Sequence, residues 1–183
     1  MDKTITADLY RYDGLKGFRG FIKGWFLPGF RYTFLLRMSM KYNKYSLRGL
    51  FFRMLKKRYR FKYGFEISPE ARIGEGFYLT THCGPVIIGP VRIGKNCNIS
   101  HSVTIGRAYN NGEAGRPSID DYVWIGAGSV LVGKINIGRN VLIAPNSFVN
   151  FDVPDDSMVI GNPGRIIRKE NPTQQYIKNV LNK

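Results

Sequence analysis

Two cysteines, Cys83 and Cys97, are too few for a disulfide framework, and they are not spaced as a CxxC redox or metal pair. No run approaches the roughly 18 apolar residues of a membrane span, and the opening Met1-Asp2-Lys3-Thr4 lacks the layout of a secretory signal. A cytoplasmic protein in a reducing compartment is expected. Acid is scarce at the front: residues 1–62 hold 16 Lys and Arg against 3 Asp, a net +13 of the formal +15. The remaining residues are nearly balanced, so two differently built regions meet near Tyr63-Gly64. No nucleic-acid recognition motif accompanies the basic front, and no nucleic-acid partner is expected.

From Ile67 an aliphatic residue recurs every six positions. The runs are Ile67, Ile73, Leu79; then Ile87, Ile93, Ile99, Ile105; then Ile119, Ile125, Leu131, Ile137, Ile143, Val149. An amphipathic helix repeats at 3.6 and a half-buried strand at 2, so neither accounts for a period of six. A six-residue unit supplies a short strand and a corner, and three units close a triangular coil whose aliphatic residues stack inside. The register breaks at two extra residues near Pro85-Val86 and at an excursion from Arg107 to Ser118. That excursion is rich in turn formers and cannot stack as a coil. It is expected to reach towards a neighbouring subunit.

Assigning the slots to three sides in order places Leu79 and Ile99 one coil apart on one side, which brings His82 near His101. The same count sets Glu66 one rung away, within expected reach of the His82 imidazole. An imidazole that titrates near neutrality can remove a hydroxyl proton, and a carboxylate on its other nitrogen fixes the tautomer. Two histidines cannot supply the three zinc ligands of a β-helical carbonic anhydrase, so no metal is expected.

The segment Phe65-Glu66-Ile67-Ser68-Pro69-Glu70-Ala71-Arg72-Ile73-Gly74, followed by Leu79-Thr80-Thr81-His82-Cys83-Gly84-Pro85-Val86-Ile87-Ile88-Gly89, resembles the catalytic stretch of serine acetyltransferases and related polysaccharide acetyltransferases. These are hexapeptide-repeat enzymes. The resemblance covers residues 64–168 and implies a mainly β fold: a left-handed parallel β-helix, assembled as a homotrimer with sites between subunits. It makes His82 the general base and Glu66 its orienter. It also implies acetyl-CoA as donor, with Gly106, Gly126, Ala127, Ala144 and Pro145 lining a pantetheine groove. The closing segment Val159-Ile160-Gly161-Asn162-Pro163-Gly164-Arg165-Ile166-Ile167-Arg168-Lys169 matches the family's ending, and Arg165, Arg168 and Lys169 would meet the phosphates.

The chain departs from the serine-specific pattern in two places. Thr81 stands where an acidic residue usually precedes the base, and Gly115-Arg116-Pro117 stands where an Arg-His pair precedes proline. Thr81, Arg116 and His101 are therefore candidate acceptor-binding residues. The departures favour a sugar hydroxyl of a bacterial surface polysaccharide or its precursor as acceptor. Serine O-acetylation is the alternative, with sugar N-acetylation or a non-catalytic scaffold behind it.

Three segments are expected: a basic, aromatic helical extension (1–62), the β-helix (63–170) and a short C-terminal helix (171–183) started by Asn171-Pro172. Within residues 15–61 two helices should break near Tyr42 to Ser46, after a turn at Pro28-Gly29. Cations interleaved with aromatics there suit peripheral contact with the anionic inner membrane.

Overall fold

The computed structural model describes residues 2–110 and 113–181. Four helices come first: α1 (Lys3–Tyr10), α2 (Gly17–Trp25), α3 (Pro28–Lys41) and α4 (Leu47–Tyr63). The expected pair corresponds to α3 and α4, which are separated at residues 42–46 as expected. Pro28 opens α3 at a position whose N–H needs no partner, rather than ending a turn before it. Helices α1 and α2 are additional. The Asp2 carboxylate caps α1 by accepting from the Thr4 N–H, and Gly64 closes α4 in the left-handed conformation (φ 76°) that glycine adopts without strain.

The solenoid follows at once. Its first coil is β1 (Phe65–Ile67), β2 (Arg72–Ile73) and β3 (Tyr78–Leu79), and its second is β4 (Val86–Ile88), β5 (Arg92–Ile93) and β6 (Asn98–Ile99). Strand β7 (Thr104–Gly106) opens the third coil. A hairpin, β8 (Ala108–Asn110) with β9 (Glu113–Gly115), leaves that coil before β10 (Ser118–Ile119) and β11 (Trp124–Ile125) complete it. The fourth coil is β12 (Val130–Val132), β13 (Asn136–Ile137) and β14 (Val141–Ile143). The fifth contains β15 (Phe148–Val149), a bridge at Val153 and β16 (Ser157–Ile160), on which β17 (Arg165–Arg168) folds back antiparallel.

Three parallel sheets result, ordered β1-β4-β7-β12-β15, β2-β5-β10-β13 and β3-β6-β11-β14-β16, the last extended by β17. The aliphatic slots form one core column, including Ile67, Leu79, Ile93, Ile99, Ile105, Ile119, Ile125, Leu131, Ile137, Ile143 and Val149. The expected mainly β solenoid with an N-terminal helical region is therefore what the chain forms.

One slot is corrected. Ile67 pairs with Ile88, not Ile87, and Ile88 pairs onward with Ile105, leaving Ile87 half in solvent. Ile88 follows Leu79 by nine positions instead of six, so the corner holding His82 carries three extra residues, and the next corner is one residue short. A one-residue slip turns a strand's side chains to the other face, and the buried isoleucine decides which register wins.

The helices dock on the first coils through buried polar groups. Asp8 pairs with Arg37 at 2.9 Å and accepts the Phe77 N–H at 2.8 Å. Burial raises the Asp8 carboxyl, and the guanidinium and the N–H oppose that. Buried Arg11 donates to the Gly76 carbonyl and to Asn98 Oδ1, and Tyr12 donates to the Leu79 carbonyl. At Gly29 any Cβ would collide with the carbonyl oxygens of Leu79 and Thr80, so glycine lets α3 sit directly on the strand that leads to His82.

The expected C-terminal helix does not form among the described residues. Residues 171–177 are turns that strap the outer face of the third sheet: Thr173 bonds Asn140, Tyr176 packs on Trp124 with ring centres 4.6 Å apart, and Arg11 donates to the Lys178 carbonyl at 2.9 Å. One helical-type bond forms, from the Ile177 N–H to the Thr173 carbonyl at 2.8 Å, and the contacts to the sheet hold the segment as turns.

Candidate active site

Register sets the site. Because Leu79 pairs with Ile99, the corners that follow β3 and β6 are stacked, and the rings of His82 and His101 lie 6.1 Å apart. These are the chain's two histidines, and both are exposed on the single chain. The His82 backbone N–H donates to Thr80 Oγ1 at 3.2 Å, which fixes the corner. Gly84 lies against His101: a Cβ there would sit 3.3 Å from the histidine Cβ. The three inserted residues thus lay one histidine's loop over the other.

Glu66 is a correction. It lies on β1 beside Ile87, and its carboxylate pairs with Arg60 of α4 at 3.4 Å instead of meeting His82. Arg60, at the end of a basic helix, is the nearest counter-charge and takes the carboxylate.

Thr81 lies three residues past Tyr78, whose ring packs on Tyr12 at 4.6 Å and whose phenol is raised by burial. Tyr78 escaped sequence reading because it occupies an outward strand position with no motif around it. Arg116 is exposed just past the hairpin, and Pro117 after it is buried. The hairpin leaves the solenoid where the excursion was read, although its tip lies outside the described residues.

The residues expected to line a donor groove are spread along the coils. A Cβ at Gly106 would meet nothing within 4 Å, so the backbone there is open to an approaching chain. Gly126 is different: a Cβ would press on Pro145 N and the Ile143 carbonyl, so coil stacking explains that glycine without a ligand. Ala127 and Ala144 are partly exposed, and Pro145 is exposed beside them. Arg165, Arg168 and Lys169 are exposed on and after β17, with Arg168 donating to the Asp155 carbonyl at 3.0 Å. Small residues below and cations above suit a long, thin arm that ends in phosphates. No three metal-ligating side chains cluster among the described residues.

Cys97 faces the core, and burial pushes its thiol up to about 12, which disarms it as a nucleophile. Trp124 lies under the C-terminal strap and shelters that packing.

A stacked triangular solenoid with a histidine corner and an ejected hairpin defines the hexapeptide-repeat transferase class. The family model described as bacterial transferase hexapeptide (six repeats) matches residues 116–150. A serine acetyltransferase of Synechococcus elongatus is 38% identical over 115 residues, covering 63% of this chain and 47% of that protein. The crystal structure of the Neisseria gonorrhoeae serine acetyltransferase in complex with serine superposes with a TM-score of 0.71 at 30% identity, over 90% of this chain and 68% of that one. That of the Brucella abortus enzyme in complex with coenzyme A gives 0.73 at 30%, over 91% and 67%. The chain belongs to the serine acetyltransferase family. It spans about half the length of the curated relatives it matches.

Proposed function

We propose that the chain is an acetyl-CoA-dependent serine O-acetyltransferase in which His82 is the general base. The observation that carries the reading is the convergence of both imidazoles, 6.1 Å apart, on one open corner of a solenoid whose relatives are serine acetyltransferases. Structures of two such relatives hold serine and coenzyme A.

His82 takes the proton of the acceptor hydroxyl as the oxygen attacks the acetyl carbonyl of the thioester. The tetrahedral oxyanion is stabilised by a nearby donor, and its collapse expels the coenzyme A thiolate, which recovers the proton from the imidazolium. No covalent acetyl-enzyme is needed. His101 orients the acceptor from the next coil. Gly106, Ala127, Ala144 and Pro145 give the pantetheine arm room, while Arg165, Arg168 and Lys169 attract its phosphates. A trimer, with the hairpin reaching a neighbour, would close this exposed corner.

Thr81 favours a second reading, a sugar hydroxyl of a surface polysaccharide or its precursor. Its hydroxyl carries no charge for the amino group of serine, and Arg116 stands where a histidine would precede proline. The relatives weigh towards serine. Thiol release from acetyl-CoA with serine, and separately with a panel of sugars, separates the two. Serine-dependent release that rises in Thr81→Asp supports serine; release with a sugar and none with serine assigns the acceptor to the second reading.

A further inference from the structure

Helix α4 contributes little to the core, and its outer face is apolar. Leu47, Leu50, Phe51, Met54 and Phe61 fall on one stripe of the helix and are exposed, Leu47 by 86% and Phe61 by 71%. Helix α2 has a shorter version, with Phe18 and Ile22 one turn apart and exposed and Phe26 exposed just past its end. The two helices flank α3, where Phe34 packs on Phe21 at 5.2 Å and on Phe52 at 6.3 Å. Large apolar side chains in such contiguous rows mark a docking surface.

Charge decides what docks there. Between Asp13 and Glu66 the sequence has fourteen Lys and Arg and no acidic residue, and seven of those cations lie on the seventeen residues of α4. One of them already feels its neighbours: burial lowers the Lys56 ammonium, and Arg53 and Arg60 lower it further. A second copy of the chain would set the same unbalanced cations against themselves. A sheet of lipid phosphates would neutralise them while its acyl boundary takes the apolar stripe. No helix among the described residues is long and apolar enough to cross a membrane, so contact would be along the surface.

We propose that α4 lies in the interface of an anionic phospholipid membrane, burying Leu47, Leu50, Phe51, Met54 and Phe61 below the phosphates that its cations meet. Transfer would then occur at the membrane surface, whichever hydroxyl is acetylated.

Flotation of the full chain with phosphatidylglycerol-containing vesicles, and with vesicles of phosphatidylcholine alone, tests this. The chain should float with the first, remain at the bottom with the second, and be released by about 0.5 M salt as screening shortens. The exposed triple variant Leu50→Ser/Met54→Ser/Phe61→Ser should keep the wild-type melting temperature and lose flotation. Arg48→Gln/Arg58→Gln should weaken partitioning about 25-fold, at roughly fivefold per cation. A chain that stays at the bottom with anionic vesicles, or floats equally with both kinds, overturns the proposal. So does concentration-dependent self-association, measured by sedimentation velocity, that the triple variant abolishes while vesicles capture nothing; the occupant is then a second copy.

Discussion

Single residues carry different duties in the two regions. His82 and His101 are exposed and bear no packing role, whereas Asp8, Arg11 and Tyr12 are buried and join the helices to the first coils. The two cysteines show the contrast most simply. Cys83 is exposed in the enlarged corner, while Cys97 is buried with its thiol raised to about 12. Because thiolate is the reactive form, the folded chain at pH 8 should take up one maleimide, at Cys83, and a second only on unfolding in guanidinium. Rapid labelling of both in the native state, read by intact mass, would mean that the Cys97 side is open. Gly29 acts through backbone approach: without a side chain it sets α3 against the Leu79 and Thr80 carbonyls, two residues from the base.

At the scale of elements, register is the decisive property. Ile88→Ala should cost about 2–5 kcal/mol because it empties a core slot, whereas Ile87→Ala should fall within about 0.5 kcal/mol of wild type, the usual range for a surface position. Urea unfolding of both variants measures the difference, and equal losses would contradict the register. The coil pattern itself was legible because period six has no competitor in helix or strand. The slip was not, since two adjacent isoleucines satisfy a hydrophobic slot equally in one dimension, and only pairing with Ile67 and Ile105 separates them. The Glu66 partner was hidden for another reason: Arg60 lies six residues earlier on a helix whose direction the sequence does not give. Helices α3 and α4 were legible from length and the break between them. Helix α2, with Gly17, Gly20 and Gly24, was not, because its formation rests on packing against α3. The Asn171-Pro172 start was a genuine local signal, overridden by the sheet that receives Thr173 and Tyr176.

For the whole molecule, charge and chemistry are separated along one axis. The first coils and their helices carry the cations and the histidine corner, and the other end carries the exposed Arg165, Arg168 and Lys169, which the proposed donor's phosphates would meet. The superposed Neisseria and Brucella structures match about nine-tenths of this chain, so the likeness extends into the helical region and is not confined to the repeat. The open corner on one chain fits a site that a neighbouring subunit completes, which is the assembly the resemblance implies. All of this turns on His82 acting as a base. The most direct measurement is thiol release from acetyl-CoA with acceptor present, comparing wild type with His82→Ala, alongside the melting temperature of each. The account predicts a loss in kcat of about 10² to 10⁴ with an unchanged melting temperature, because the ring removes a proton and supports no packing. A variant that is equally stable and turns over at the wild-type rate would contradict it.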